Sequence, residues 1–281
     1  MAYLPSNADD PRFFDFDTTK ELGLELSDQY ASASPFPHVV IDNFLDDRLI
    51  DLCLKRFPTT ADPDSRSFDR DQERLKRSYN PDYLHPELRT LFASFNSRPF
   101  IRLIENITGI KQLAPDPYFI GGGFHEISNG GHLSVHADFN HHKPLNLERR
   151  VNVLIYLNKD WREEYGGQLE LWTTDMSERV VSASPIANRC AMFTTTGESM
   201  HGNPSVIAHP ENKSRKSIAL YYYTATWDDM RAERTTVFRA RPKSEDKVDW
   251  QVKVNHAIDD FVPPILARTA KRVVGKVSKH L

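Results

Sequence analysis

The stretch RRVNVLIYLNKDWREEYGGQLELW, residues 149–172, holds two β-rich runs, RVNVLIYLN and QLELW, with turn residues between them. The same texture extends over residues 116–227. The further runs there are YFIGGGFHE, HLSVHAD, RVVSA, RCAMFTTT and SIALYYYTATW. Many short strands separated by Gly, Asn and Pro are typical of a β-sandwich or barrel.

Helical patterns precede these strands. PHVVIDNFL (37–45) predicts a short strand, and DDRLIDLCLKRF (46–57) carries apolar residues at one-face helical spacing. HPELRTLFASFNSRPFIRLIENITGI (85–110) predicts a helix in two pieces, with Pro86 in the first turn. Because the helices come before the strands, the sequence predicts a mainly β fold with flanking helices.

Four segments follow from this order. Residues 1–35 lack a period and predict a loosely packed N-terminal arm, and residues 36–115 predict a helical support region. Within it, the charged stretch 58–82 predicts a long surface loop, either solvated or a substrate lid. Residues 116–227 form the β-core, and 228–281 predict an extension ending in a basic helix. That helix packs on its own domain or contacts a membrane surface or partner.

The composition narrows the class of protein. With 281 residues, 39% hydrophobic and 11% aromatic, the chain can bury a sizeable core. The net charge of −3 gives no reason to expect a nucleic-acid partner. The chain has two cysteines, Cys53 and Cys190, too few for a disulfide framework, and both are predicted to be small buried residues. No signal peptide and no membrane span of ~20 apolar residues is expected, which predicts a cytoplasmic location.

The stretch HLSVHADFNHH (132–142) crowds together side chains that bind transition metals. Residues two apart on a strand share a face, so His136 and Asp138 can chelate one ion. His132 lies roughly 13 Å from His136 along an extended strand, too far to bind the same ion. The two histidines that end the stretch are expected in solvent or at the substrate edge.

A third ligand is predicted in TTTGESMHGNP (194–204), where His201 stands in a turn rich in small residues. Two imidazoles and one carboxylate on one side of an ion leave three positions open, as in non-haem iron(II) oxygenases. Hydrolytic zinc sites also combine histidine and carboxylate, but usually keep one position open. About 65 residues of predicted strands separate His136 from His201.

The stretch SRKSIALYYYT (214–224) begins shortly after His201. Arg215 and Ser217 share one strand face, and a guanidinium binds a carboxylate through two parallel charge-assisted bonds, to which a hydroxyl adds a third. This suits the distal carboxylate of 2-oxoglutarate. Lys216 is the rival anchor, although it points to the opposite face.

Five motifs of the sequence together resemble those of a known enzyme family. HADF, LIYLNKDW, YGGQLELW, HGNP and RKSIALYYYT, in that order, look like the prolyl 4-hydroxylase-like iron(II)/2-oxoglutarate dioxygenases, including the hypoxia-sensing prolyl hydroxylases. The resemblance covers about residues 120–227. It implies a double-stranded β-helix (jelly-roll) core with the metal near one mouth. It also implies iron(II), 2-oxoglutarate and O2, with ascorbate as a reductant.

Carried over residue by residue, the resemblance implies that His136, Asp138 and His201 are the iron ligands. Arg215 matches the basic residue for the 2-oxoglutarate C5 carboxylate, and Tyr156 falls where the family often has a tyrosine on that carboxylate. The sequence departs from the family in two places. The second histidine and the arginine are fourteen residues apart, where about ten is usual, and a glutamate stands near an expected tyrosine.

The resemblance implies hydroxylation of an unactivated C–H with release of succinate and CO2. An aspartate at 138 favours hydroxylation, because related halogenases have a small residue there. The substrate is expected to be a prolyl residue of a protein, an amino acid or another small molecule. Two alternatives stay open: a non-catalytic cupin-like binding protein or inactive relative, and a zinc-dependent hydrolase.

Overall fold

The computed structural model of the chain describes residues 1–60, 64–228, 233–242, 244 and 246. The helices are α1 (Phe16–Thr19), α2 (Ser27–Ser32), α3 (Asp47–Lys55), α4 (Pro86–Phe95) and α5 (Arg98–Thr108). The strands are β1 (His38–Ile41), β2 (Ser65–Arg70), β3 (Glu73–Tyr79), β4 (Ala114–Pro115), β5 (Gly123–Ala137), β6 (His141–His142), β7 (Leu147–Tyr156), β8 (Leu169–Trp172), β9 (Arg179–Ala183), β10 (Cys190–Thr194), β11 (Met200–Asn203), β12 (Arg215–Thr224) and β13 (Val237–Phe238).

The strands form one antiparallel sheet in the order β1-β10-β7-β12-β5-β11-β8-β9. The long strand β5 belongs to two parts of it. Residues 123–127 of β5 pair with β12, whereas residues 133–136 pair with β11. Between these stretches, the register of β5 against β3 shifts. β3 and β13 pair with the other edge of β5. The sheet therefore turns at β5, and a mainly β fold with flanking helices is confirmed.

Helices α3, α4 and α5 lie within the segments that the sequence predicts to be helical. Pro86 opens α4, and α5 starts two residues after α4 and its Asn96 cap, so the predicted helix in two pieces is confirmed. The Asp46 side chain accepts a hydrogen bond from the Arg48 N–H and caps α3. The apolar faces of these helices join strands β7, β10 and β12 in one hydrophobic core.

The prediction of a loosely packed N-terminal arm is wrong. Leu4, Phe14 and Tyr30 are buried in the main core. The Phe14 ring lies 5.9 Å from Phe95 and 5.6 Å from Phe100. Single aromatic side chains bury a large apolar area even when the segment around them has no periodic pattern. The packing of this segment on the helices is therefore not visible in the sequence pattern.

The prediction of a long surface loop at 58–82 is also wrong. β2 and β3 form a hairpin, and β3 pairs with β5 from Glu73↔Leu133 to Tyr79↔Phe124. Strand pairing uses backbone groups, so a charged strand can join a sheet when its side chains find partners. Glu73, for example, is bound by Arg70 and by Lys76 at 3.0 Å.

The predicted C-terminal extension contributes strand β13, which pairs with residues 136 and 137 of β5. The predicted basic helix lies outside the described residues, and the domain boundaries stay predictions. Within the described ranges, no helix is both long and apolar enough to span a membrane.

Replacing Phe100 by alanine is expected to lower the free energy of unfolding by about 3–5 kcal/mol, as is typical of buried phenylalanines. Its ring is fully buried and contacts those of Phe14, Phe44 and Tyr222. Urea unfolding measures the change, and Leu24→Ala, at a side chain that is 54% exposed, is the control. Equal losses in the two variants would mean that the arm and helices do not share this core.

Candidate metal centre

The three predicted ligands lie together. His136 on β5 and His201 on β11 stand directly opposite each other in the antiparallel ladder, with ring centroids 4.5 Å apart. Asp138 follows the end of β5. Its Oδ1 lies 3.7 Å from His136 Nε2, and its Oδ2 lies 3.3 Å from His201 Nε2. One ligand atom from each residue lies within 4.8 Å of the others, a separation that suits a single ion.

Both imidazoles are oriented by their own strands. His136 Nδ1 lies 2.9 Å from the Ser134 carbonyl, and His201 Nδ1 lies 2.9 Å from the Ser199 carbonyl. A carbonyl only accepts, so Nδ1 carries the hydrogen and Nε2 keeps its lone pair for a metal. Burial, together with the neighbouring His201, lowers the pKa of His136, which keeps that imidazole neutral.

The carboxylate of Asp138 is buried but ionised. Burial alone would raise its pKa, but the Arg149 guanidinium and His201 outweigh burial and hold the pKa well below its usual range. Arg149 Nη2 lies 3.1 Å from Asp138 Oδ2, and the Asn152 side chain donates to the same oxygen at 2.7 Å. The centre thus offers one Nε2 lone pair from each imidazole and one ionised carboxylate to a metal ion.

The residue after His201 is Gly202, and the packing of β11 on β5 requires a glycine there. A Cβ atom at this position would lie 2.8 Å from the Ser134 carbonyl oxygen of β5. Only glycine therefore lets β11 lie this close to β5 and place the two imidazoles opposite each other.

The cluster opens into a cavity of about 250 Å³, which Arg215 and Ser217 also line. Arg215 is buried, and its Nε donates to the Gly167 carbonyl at 2.8 Å. Gly167 has a φ of +73°, and a Cβ there would lie 2.9 Å from Arg215 Cδ. Gly167, the second glycine of the opening stretch, therefore makes room for the Arg215 side chain.

Tyr156 and Lys216 occupy different surroundings. Tyr156 is fully buried, and the Arg215 guanidinium lies 4.9 Å from its ring centroid. The Lys216 ammonium contacts Ser214 and lies 3.3 Å from Glu126 Oε1, away from the cavity lining. The arrangement favours Arg215 over Lys216 as the anchor of a carboxylate.

Three buried donors in or beside the cavity have no hydrogen-bond partner among the described residues. They are the Tyr156 hydroxyl, Arg149 Nη1 and Asn203 Nδ2. Buried donors without partners are costly, and each is satisfied when an acceptor occupies the cavity. The donor set fits an anionic, oxygen-rich ligand.

Several cavity residues were not singled out from the sequence. The β2–β3 hairpin contributes the side chains of Phe68, Arg70, Glu73, Lys76 and Ser78. His125, which pairs with Ser217, also lines the cavity, where burial and the Lys76 charge lower its pKa to about 3. Strand alternation around Ser217 predicts which side chains of β12 face the cavity. It does not predict that β5, and with it His125, pairs with β12 there.

The other histidines of the 132–142 stretch do not join the centre. His132 Nε2 lies 3.1 Å from the Asp71 carbonyl, as expected of a residue outside the ligand set. His142 is buried, and its Nε2 lies 2.9 Å from Asp116 Oδ1, so its predicted solvent exposure is wrong. It also accepts a hydrogen bond from the Leu145 N–H, in a structural role.

Residues 122–223 match the family model described as the 2OG-Fe(II) oxygenase superfamily, which confirms the resemblance over this segment. A match to this superfamily implies iron(II), 2-oxoglutarate and O2. The chain is 26% identical over 220 residues to the prolyl 3,4-dihydroxylase OGFOD1 of Ostreococcus tauri. That match covers 72% of this chain but 41% of the relative, so the chain spans about two fifths of that protein.

The chain is also similar to solved structures. A Trichoplax adhaerens prolyl hydroxylase, in complex with a peptide fragment of the hypoxia inducible factor oxygen degradation domain, aligns with a TM-score of 0.53 at 19% identity, over 77% of this chain and 95% of that chain. A Pseudomonas putida prolyl-4-hydroxylase gives 0.48 at 19% identity, over 72% and 98%. The first likeness, with the strand order, confirms the predicted double-stranded β-helix.

Proposed function

We propose that this chain, whose residues 122–223 match the 2OG-Fe(II) oxygenase superfamily, is an iron(II)- and 2-oxoglutarate-dependent dioxygenase that hydroxylates an unactivated C–H bond. The observation that carries the proposal is the buried cluster of His136, Asp138 and His201, which opens into the same cavity as Arg215. In the overall reaction, R–H, 2-oxoglutarate and O2 give R–OH, succinate and CO2.

His136, Asp138 and His201 would hold the iron through two Nε2 atoms and one carboxylate oxygen. Bound iron(II) supplies the oxidising chemistry, in which 2-oxoglutarate and O2 are consumed together. The protein fixes the tautomers of both imidazoles and keeps the carboxylate ionised. Such preorganisation places the ligands before the metal arrives.

Arg215 would bind the distal carboxylate of 2-oxoglutarate. Its Nε is held by Gly167, so the guanidinium is fixed in direction. Ser217 lies two residues further along β12 on the cavity face and can donate a hydroxyl hydrogen bond. The unpartnered Tyr156 hydroxyl beside Arg215 can donate another. Charge-assisted bonds of this kind are about twice as strong as neutral ones in a buried site.

The proposed substrate is a prolyl residue in a peptide or protein. The Ostreococcus relative is named a prolyl 3,4-dihydroxylase, and the Trichoplax protein is named a prolyl hydroxylase with a peptide bound. In this chain, the β2–β3 hairpin lines the cavity and adds the aromatic side chain of Phe68 to it. We expect the hairpin to contact residues on either side of the target proline. Ascorbate as a reductant and a cytoplasmic location remain predictions.

The substrate proposal predicts that prolyl peptides stimulate succinate release more than free proline or other amino acids do. Purified protein with iron(II), 2-oxoglutarate and ascorbate is screened over these compounds, with mass spectrometry for one added oxygen atom. Stimulation by a free amino acid alone would assign a small-molecule substrate. Hydrolysis of a substrate at a rate that does not depend on 2-oxoglutarate or O2 would favour a zinc hydrolase. Absence of both metal binding and 2-oxoglutarate binding would favour a cupin-like binding protein.

Phe68→Ala is expected to raise the KM for a prolyl peptide about tenfold, because fully burying a phenylalanine side chain is worth about 1.5–3 kcal/mol and about 1.4 kcal/mol is tenfold. The KM for 2-oxoglutarate should stay within about twofold on the same scale, since Phe68 lies on the hairpin. Arg66→Ala is the control, at an exposed side chain of the same strand outside the cavity lining. A peptide KM that is unchanged in Phe68→Ala would exclude this side chain from substrate binding.

A further inference from the structure

Arg149 is a buried cation beside the metal centre. Its side chain is 1% exposed. The guanidinium stacks on the Tyr221 ring at 3.5 Å and lies 4.4 Å from the centroid of Phe139. Burying a guanidinium is unfavourable unless it is paired, and its partner here is Asp138, at 3.1 Å. The desolvation free energy of a buried guanidinium therefore indicates a role for Arg149 beyond packing.

A bulge in β7 places Arg149 on this side of the sheet. Tyr222 pairs with Val151, whereas Tyr223 pairs with Arg149, so one extra residue, Arg150, interrupts the ladder. In a regular strand, Arg149 would share the face of Val151 and point into the apolar core. The bulge turns it toward the cavity instead, as bulges near functional sites often do.

Asn152 connects Arg149 to the aspartate. Its Oδ1 accepts from Arg149 Nη2 at 2.6 Å and from Nε at 3.1 Å, and its Nδ2 donates to Asp138 Oδ2 at 2.7 Å. Arg149 Nη2 contacts the same Oδ2. Both donors therefore converge on one carboxylate oxygen and leave Oδ1 without these bonds.

We propose that Arg149 and Asn152 are positioning residues that hold Asp138 by Oδ2, so that Oδ1 is the oxygen available to a metal ion. This inference rests on the proposed metal site. The pair fixes the rotamer of the carboxylate and disfavours binding of the metal through both oxygens. Outer residues that orient a metal ligand typically contribute about 10- to 100-fold to metal affinity.

The charge of Arg149 acts in the opposite direction. A guanidinium near a divalent cation repels it, so a purely Coulombic role predicts tighter metal binding when the charge is removed. Asn152 is neutral and makes no such contribution. Comparing variants at Arg149 and Asn152 therefore distinguishes the orientation of Asp138 from electrostatic repulsion of the metal.

The test measures Mn(II) affinity by calorimetry under conditions without turnover. Arg149→Gln and Asn152→Ala are each expected to weaken Mn(II) binding about 10- to 100-fold, and to change the visible absorption of the Co(II)-loaded protein. Arg150→Gln is the matched control, because its side chain donates to Thr224 Oγ1 at 3.2 Å and does not line the cavity. Thermal unfolding checks that each variant is folded, and Asn152→Ala decides if Arg149→Gln is not.

Unchanged or tighter Mn(II) binding in both variants, with a wild-type protein that binds Mn(II), would overturn this inference and leave the proposed function intact. A wild-type protein that binds no Mn(II) would overturn both. Weaker binding in Arg150→Gln to the same degree would show a general effect on β7 and would also overturn the inference.

Discussion

Asp138→Ala is expected to weaken iron(II) or Mn(II) binding by more than about 100-fold, because even residues that only support a metal ligand typically account for 10- to 100-fold. The substitution removes the carboxylate that lies 3.7 Å from His136 Nε2 and 3.3 Å from His201 Nε2. It also leaves the Arg149 cation facing the two imidazoles without its counter-charge. Calorimetric titration of the metal into the purified variant measures the loss.

Two further variants make this result specific. Asp138→Asn keeps the size of the side chain and removes its charge, and it should weaken binding in the same direction. Asp51→Ala removes a carboxylate that is 61% exposed and pairs with Lys159 on the surface, and it should bind metal as the wild type does. Metal affinity that is the same in Asp138→Ala and Asp51→Ala would place the metal elsewhere.

Arg215→Met is expected to raise the KM for 2-oxoglutarate about 30- to 5000-fold, because loss of one partner from a buried charge pair costs about 2–5 kcal/mol. Metal affinity should change little, since Arg215 does not belong to the ligand cluster. Arg215→Lys should recover only part of the loss, because an ammonium cannot bind a carboxylate through two parallel bonds. Steady-state succinate release at varied 2-oxoglutarate gives the values.

Lys216→Met is the matched control for Arg215. Its ammonium is engaged with Ser214 and Glu126 on the opposite strand face, so the KM for 2-oxoglutarate should stay within about twofold. If Lys216→Met raises this KM and Arg215→Met does not, Lys216 is the anchor and the strand-face argument is wrong.

Regular strands let the sequence predict much of the site. The ladder of β12 is unbroken from Arg215 to Tyr222, so alternation correctly puts Arg215 and Ser217 on the cavity face and Lys216 on the other. The same period predicts that His136 and Asp138 share a face. The turn of small residues and the resemblance both indicate His201, but its register against β5 is a long-range property that the local pattern does not show.

What the sequence could not show depends on irregularity or on distant partners. Alternation places Arg149 in the core, and only the bulge at Arg150 turns it to Asp138. The hairpin of residues 65–79 looks like a loop because its stabilising contacts come from backbone pairing with β5. The segment around Phe14 has no period, and Phe14 packs against the buried rings of helices that lie more than 80 residues away in the chain.

The most direct test of the central claim is succinate formation by purified protein, with iron(II), 2-oxoglutarate and O2 supplied together or omitted one at a time. The proposed function predicts that succinate forms only when all three are present, and that Asp138→Ala forms none above the protein-free background. Succinate formed equally by the wild type and Asp138→Ala, or formed without iron(II), would contradict the assignment of His136, Asp138 and His201 as the metal ligands of a dioxygenase.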